Sequence, residues 1–383
     1  MKLFFHGFDE EWKQNKKFAM KALKNFGAGS ASLEAKIQVE VDRLLERIGQ
    51  AQGKPMPFQL MLENALARVI TSVITSTDFK NDQEVEHLIQ LVLDWFDCFL
   101  VVPPLFYHEL PTFMKKNVYP KYYSLMLRNK GLKKFIIDRI EEHRKTIDLD
   151  NLRDVADVYL KERDGPDLDI DMLARTLLML TPDGIDSLGC TMAFSFMYLA
   201  KHPEVQKKIQ EELDRVVGRS GQPTLTYKLE LVYLEATLLE CQRLSTVFPI
   251  SATHKPLHDN LVINGYTLPR ECWVFPNLYS VHMDPEVFPD PEKFDPGHFL
   301  NEKGELANTN HCMIFSVGRR MCMGEQLAKM ELFIYIATLL HHYSFAFPED
   351  KPPPSDQAEV IGGITGMMMR RPPKFRLCAT PRS

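Results

Sequence analysis

Cysteine is scarce in this sequence and widely scattered. Seven residues, an odd number, stand at 98, 190, 241, 272, 312, 322 and 378 with no C-x-x-C pair among them. With no secretory leader at the start, that spacing excludes a disulfide framework and a zinc ribbon and points to a reducing compartment. Long apolar runs are also missing. The longest, LGCTMAFSFMYLA at 188–200, follows Asp183 and Asp186 and falls short of the roughly 20 residues that a membrane helix needs. There is no repeat, no low-complexity tract, and no linker long or polar enough to divide the chain, so one domain over 1–383 is expected. Positive charge is not in excess: 46 Lys and Arg against 51 Asp and Glu leave a formal net charge of −5, and nucleic acid is not an expected partner. What remains is an ordinary globular composition, 45% hydrophobic and 25% charged, with ample material for a core.

The first two thirds are patterned for helix. Apolar residues three and four apart predict helices over 32–50, 57–75, 83–98, 119–147 and 170–200, separated by the polar or Pro-containing breaks QGKPMP, ELPTF and KERDGPD. HPEVQKKIQEELDRVVG at 202–218 places Pro203 at a helix start and Gly218 at its stop. After residue 246 the texture changes. LVINGYTLPRECWVFPNL predicts short strands around an Asn-Gly turn. A Pro-rich stretch from 284 to 299, a knot at 315–326, a helix to about 343 and a terminal hairpin around IGGITG follow. The expected fold class is mainly α with a small β part.

Three constellations carry chemistry. In FSVGRRMCMGEQ (315–326), Cys322 sits where a helix begins, so unpaired N–H groups, the helix dipole, Arg319 and Arg320 all favour its thiolate. In EATLLECQRLSTVFP, Glu240 and Arg243 are three apart on a helix and meet on one face. Leu238, Leu239, Cys241 and Leu244 surround them, which argues for burial over a surface pair worth about 0 to 1 kcal/mol. In PEKFDPGHF, Pro291, Phe294, Pro296 and Phe299 order a loop from which His298 can complete the pair. On these residues alone, a structural cysteine and a solvated ion pair remain open readings.

The order and spacing of the three sets resemble the signature of the cytochromes P450. These are Glu240-x-x-Arg243, then Pro291-x-x-Phe294-x-Pro296-x-His298-Phe299, then Phe315-x-x-Gly318-x-Arg320-x-Cys322-x-Gly324. NLYSVHMDPEVFPDPEKFDPGHF and CMGEQLAKMELF look closest to the animal microsomal branch that oxidises drugs, fatty acids and steroids, and the likeness runs from about residue 8 to the end. The resemblance implies haem b with Cys322 as the iron's ligand, a thiolate that donates electron density and favours O–O cleavage. It implies a monooxygenase that inserts one oxygen atom from O2 into a lipophilic xenobiotic, fatty acid or steroid. Electrons would come from NADPH through NADPH-cytochrome P450 reductase, with cytochrome b5 as an optional donor.

Carried over by position, Phe315, Gly318, Arg320 and Gly324 would bind the cofactor, the glycines by letting backbone approach the porphyrin and Arg320 through a propionate. Trp12, Lys16, Gly184 and His254 match further cofactor positions; Lys16, standing where the family has Arg, keeps the charge and loses the bidentate fork. Leu180, Asp183, Ser187, Val247, Ile250, Ile364 and Thr365 match substrate-facing segments. Glu240, Arg243 and His298 would be structural, with His298 in place of the family's Arg.

Two departures shape the expectation further. Where the oxygen-binding helix usually reads Ala/Gly-Gly-x-Asp/Glu-Thr, this chain reads PDGIDS from Pro182 to Ser187. Asp186 and Ser187 keep the acid and the hydroxyl that deliver protons to oxygen. Pro182 removes a helix N–H, and Asp183 is either a proton donor with a raised pKa or a carboxylate bent away into solvent. The second departure is the start, which is expected to lack the branch's membrane anchor, first helices and first sheet strands. Strands near LVING and WVFPN would then have open edges. The full-length family sits on the cytoplasmic face of the endoplasmic reticulum membrane; for this chain, cytoplasm or peripheral contact through FDCFLVVPPLFYHELP (96–111) is expected. Lys13, Lys17, Lys21 and Lys24 form a basic stripe, read either as a solvated face or as the dock for an acidic flavoprotein reductase. Two rival functions are a haem-thiolate isomerase or peroxide-using enzyme, and a catalytically inactive truncated form acting as a binding protein.

Overall fold

The structure, a computed structural model, describes residues 10–26, 31–100, 110–118, 120–162, 169–251, 254–270, 272–351, 353 and 369–382. Seven helices come first: α1 Glu10–Phe26, α2 Ala31–Gln50, α3 Phe58–Ile74, α4 Asp82–Leu100, α5 Thr112–Val118, α6 Pro120–Thr146 and α7 Val155–Glu162. Their apolar spacing dictates how they pack. On α2, Leu33, Ile37, Val41, Leu44 and Ile48 lie four, four, three and four apart and are all buried, making one stripe that packs on α3.

The centre is one long helical run. Asp169 caps α8 Ile170–Pro182 by accepting the Met172 N–H at 2.9 Å. A π turn, Asp183–Ser187, joins α8 to α9 Leu188–Lys201. The helix predicted as continuous is therefore widened immediately after Pro182, whose ring removes an N–H and crowds the preceding turn. Every residue of α9 from Leu188 to Leu199 is buried, as an all-round apolar helix must be. It packs against α3, α10 Pro203–Val216, α11 Val232–Ser245 and α13 Glu325–His342. The short α12 Leu278–His282 lies between the last two in sequence.

Strand is sparse among the described residues. β1 Leu261–Ile263 and β2 Tyr266–Leu268 pair antiparallel, Leu261 opposite Leu268. Asn264 and Gly265 between them both have positive φ, the conformation a two-residue hairpin turn requires. β3 Tyr343–Ala346 pairs with β4 Cys378–Pro381. The strand expected at WVFPN is reduced to single bridges, His254 with Val274 and Ile250 with Asn277, because Pro276 offers no N–H to continue a ladder. The IGGITG hairpin lies outside the described residues. No described helix is long and apolar enough to cross a membrane.

A buried ionic knot ties α6 to α7. His143 Nε2 lies 2.7 Å from Asp154 Oδ2, and Nδ1 lies 2.8 Å from the Arg139 carbonyl. A ring facing acceptors at both nitrogens donates from both, so it is the imidazolium. Burial opposes that charge, but the Asp154 bond and charge outweigh it and the pKa is raised. His143, Asp154 and Asp157 gather potential ligand atoms within 4.8 Å of one another, yet Asp157 is already held by Arg153 at 2.7 Å. The knot is an ion-pair device. A raised histidine pKa contributes stability that is fully present below the unfolded value of about 6.5 and is lost as pH rises through the folded value. The melting temperature of the parent should therefore fall toward that of His143→Gln as pH is raised. A constant gap between the two across the neutral range would show that the ring is uncharged.

Candidate active site

The run from Phe315 to Gly324 is a closed loop. The Cys322 N–H donates to the Phe315 carbonyl at 2.9 Å, and Gly318–Arg320 make a single 3-10 turn. Gly318 is demanded by its own backbone, with φ of +78° and open space where a Cβ would point. Gly324 is different: a Cβ there would lie 3.9 Å from Cys322 Sγ, an ordinary contact, so nothing in the protein itself requires glycine. Cys322 is exposed. Its thiol is pushed up to about 11, by burial of the sulfur first and then by the Asp183 and Glu325 carboxylates, against the N–H groups of Gly324 and Glu325. This corrects the expectation that the helix start and its arginines hold a thiolate. Two backbone donors do not offset desolvation plus two negative charges, and Arg320 is turned toward Trp12. A bound metal would supply the deprotonation, since a coordinating thiol loses its proton outright.

One rim of the site is cationic. Trp12 on α1 is buried, and the Arg320 guanidinium lies 3.8 Å from the centre of its ring. Lys16 Nζ lies 5.4 Å from the same ring and donates to the Arg319 carbonyl. Burial lowers the pKa of Lys16 and of His254, and Arg320 lowers both further. Trp12, Lys16, His254 and Arg320, distant in sequence, thus come together around one concentration of positive charge. The two carboxylates of a haem are the kind of group such a cluster attracts.

Facing the loop is the π turn. Ile185 and Asp186 are buried, while Asp183, Gly184 and Ser187 keep some accessible surface. Burial and then the Asp186 carboxylate push Asp183 up to about 7. The Ser187 hydroxyl donates to the Asp183 carbonyl. Gly184 answers to packing: a Cβ would lie 2.9 Å from Ile70 Cδ1 on α3. The Asp183 carboxylate is near enough to act on the Cys322 thiol, so turn and loop are neighbours, and both residues retain surface. A flat cofactor ligated by Cys322 and anchored at Arg320 fits that arrangement. Leu180 and Ile250 are half-buried and Val247 is buried; Ile364 and Thr365 lie outside the described residues.

Behind the loop, Arg243 and Glu240 are fully buried. Arg243 Nε and Nη2 each donate to Glu240 at 2.7 Å, and Nη1 donates to the His282 and Pro291 carbonyls at 2.7 Å. His298 Nδ1 lies 3.1 Å from Glu240 Oε1 and Nε2 lies 2.6 Å from the Pro289 carbonyl; the Glu240 bond raises its pKa. Sequence reasoning missed His282. Its Nδ1 lies 2.9 Å from Thr246 Oγ1, and its Nε2 accepts the Met313 N–H at 3.0 Å. Thr246 already donates to the Arg243 carbonyl, so the His282 ring is neutral with its proton on Nδ1. Burial, then Arg243, lower its pKa to about 4. The ring joins the end of α11 to the segment entering the cysteine loop, and a lone histidine in SVHMDP carries no signal of that.

Comparison with known proteins agrees with this geometry. The sequence profile of the family described as Cytochrome P450 matches residues 2–379. Cytochrome P450 2C44 of Mus musculus is 35% identical over 381 residues, which is 97% of this chain and 76% of that protein. Cytochrome P450 2C23 of Rattus norvegicus is 35% identical over 380 residues with the same coverage. Cytochrome P450 2E1 of Rattus norvegicus is 31% identical over 382 residues, again covering 97% and 76%. With a match over nearly the whole chain and a cysteine loop set against a central helix, the chain belongs to the cytochrome P450 family of haem-dependent monooxygenases.

Proposed function

We propose that this monooxygenase inserts one oxygen atom from O2 into a lipophilic xenobiotic, fatty acid or steroid, with electrons from NADPH delivered by NADPH-cytochrome P450 reductase. The observation that supports it most is the facing pair of the Cys322 loop and the π turn, with Trp12, Lys16, His254 and Arg320 gathered at one rim. When bound, haem supplies oxygen activation, and Cys322 tunes it by donating electron density through sulfur. Arg320, Lys16, Trp12 and His254 would hold the propionates, Gly324 would admit the ring, and Leu180, Val247 and Ile250 would offer apolar contact to substrate. The chain acts as one P450 domain over 1–383, in the cytoplasm or in peripheral contact with a membrane.

The α1 face supports the reductase reading. Lys13, Lys17, Lys21 and Lys24 are all exposed, and a shallow groove beside them is lined by Trp12, Lys16, Met20 and Arg319 as well. Two of the four charges are partly spent at home: Lys13 pairs with Glu10 at 3.1 Å and Lys21 with Glu162. An acidic partner would therefore meet Lys17 and Lys24 most directly. Product formation that requires both NADPH and reductase supports the monooxygenase; turnover with peroxide alone supports the isomerase or peroxide reading. A protein that never takes up haem would be the inactive binding form.

At the π turn, Asp183 would hold a proton near neutral pH beside the Ser187 hydroxyl, its elevated pKa suiting it to act as an acid there. Asp183→Ala should lower the fraction of consumed NADPH recovered as oxidised product and flatten its pH dependence. Coupling that is unchanged at every pH in this variant would reject the role.

A further inference from the structure

The turn carries two carboxyl groups, and the structure treats them differently. Asp186 is buried, and its Oδ2 lies 2.8 Å from Arg371 Nη2. Its Oδ1 faces the Cys190 thiol at 3.8 Å. Both oxygens therefore point into the body of the protein, toward the C-terminal segment and α9. Among the described residues Asp183 has no such ion pair, and its side of the turn keeps accessible surface. Asp183 and Ser187 both keep accessible surface, whereas Asp186, between them in sequence, is buried.

Arg371 is itself firmly placed. Its neighbour Arg370 donates its backbone N–H to the Val247 carbonyl at 2.6 Å and its guanidinium to the Leu244 carbonyl at 3.2 Å. Two consecutive arginines thus bolt one segment to the end of α11 on one side and to the π turn on the other. We propose that Arg371 is the positioning residue of the π turn: it holds the Asp186 carboxylate inward, so that Asp183 is the carboxyl group left to pass a proton to Ser187. This rests on the oxygen-activating reading above and assigns the acid within it.

Among the described residues, the charged and titratable groups that act on Asp186 or its partners include Arg371, Asp183 on the turn, Cys190 on α9 and Glu63 on α3, with Lys374 beyond Glu63. Removing Arg371 strands a buried carboxylate, and Asp186 takes up a proton instead. A neutral Asp186 no longer raises Asp183, so the pH at which Asp183 titrates moves down.

The test uses the haem-loaded protein carrying isotope-labelled aspartate, read by infrared difference spectra across pH and by coupling. In the parent, one protonated aspartate band should titrate near neutral pH, vanish in Asp183→Asn and persist in Asp186→Asn. Arg371→Met should add a second protonated band. Arg371→Met and Asp186→Asn should both shift the coupling inflection to lower pH, and Arg371→Lys should restore it. If Arg371→Met does not fold, Asp186→Asn alone decides. A band or inflection lost in Asp186→Asn makes Asp186 the donor and overturns the proposal. An unshifted band pattern in Arg371→Met removes the positioning role. Bands as expected with unchanged coupling in Asp183→Asn leave the clasp standing and overturn the proton-delivery reading on which it rests.

Discussion

Cys322→Ala should abolish the thiolate-type absorption of the reduced, carbon monoxide-bound protein, while Cys241→Ala and Cys312→Ala should leave it largely intact. The argument is one of place. Cys241 is wholly buried on α11, and burial pushes its thiol far up. Cys312 directs its sulfur at the Leu239 carbonyl, 3.7 Å away. Neither faces the π turn. Cys322 is the neighbour of that turn, on an exposed loop closed by the Phe315 carbonyl. Loss of the spectrum in Cys322→Ala should be complete, since no other described cysteine is exposed. A retained thiolate spectrum in that variant would overturn the assignment of the site.

The second large effect is on folding. Arg243 spreads its donors over Glu240 and three backbone carbonyls, those of His282, Pro291 and Lys293. Glu240 also accepts the Asp295 N–H at 2.9 Å. Removing either member leaves an uncompensated buried charge, at a cost of about 3 to 5 kcal/mol, out of a total of roughly 5 to 15 kcal/mol for a typical fold. Glu240→Ala should therefore express poorly, unfold at much lower denaturant and retain little haem. His298→Ala, which removes one bond from a carboxylate that keeps its arginine, should cost far less. Normal yield and full haem content in Glu240→Ala would mean that the clamp does not hold the loop in place.

Helices were legible because their signal is local. The stripe from Leu33 to Ile48 and the Pro203 start need only the neighbouring turns to form, and the observed bounds Ala31–Gln50 and Pro203–Val216 lie within two residues of those read from spacing. The Glu240, Arg243 and Cys322 sets were legible as an ordered motif. What could not be read was cross-chain. Arg371 meets Asp186 across 185 positions, and the doublet in RRPP looks like any basic surface pair. His282 acquires its role only from Thr246 and Met313, which it touches on opposite sides. The thiol of Cys322 was misjudged because helix-end electrostatics can be read from a sequence, whereas desolvation and the approach of Asp183 from another helix cannot.

The β1–β2 hairpin bears on how the protein behaves in bulk. Leu261, Val262, Ile263 and Tyr266 are all exposed, and Trp273 and Phe275 are exposed nearby. A ribbon that is two-stranded among the described residues, with oily side chains, is a template on which other strands add. Association through it is driven by burial of apolar surface, so salt, which screens charge, should not dissolve it. A detergent that coats the ribbon should, and the hydrodynamic size of the protein is then set by concentration and amphiphile more than by ionic strength.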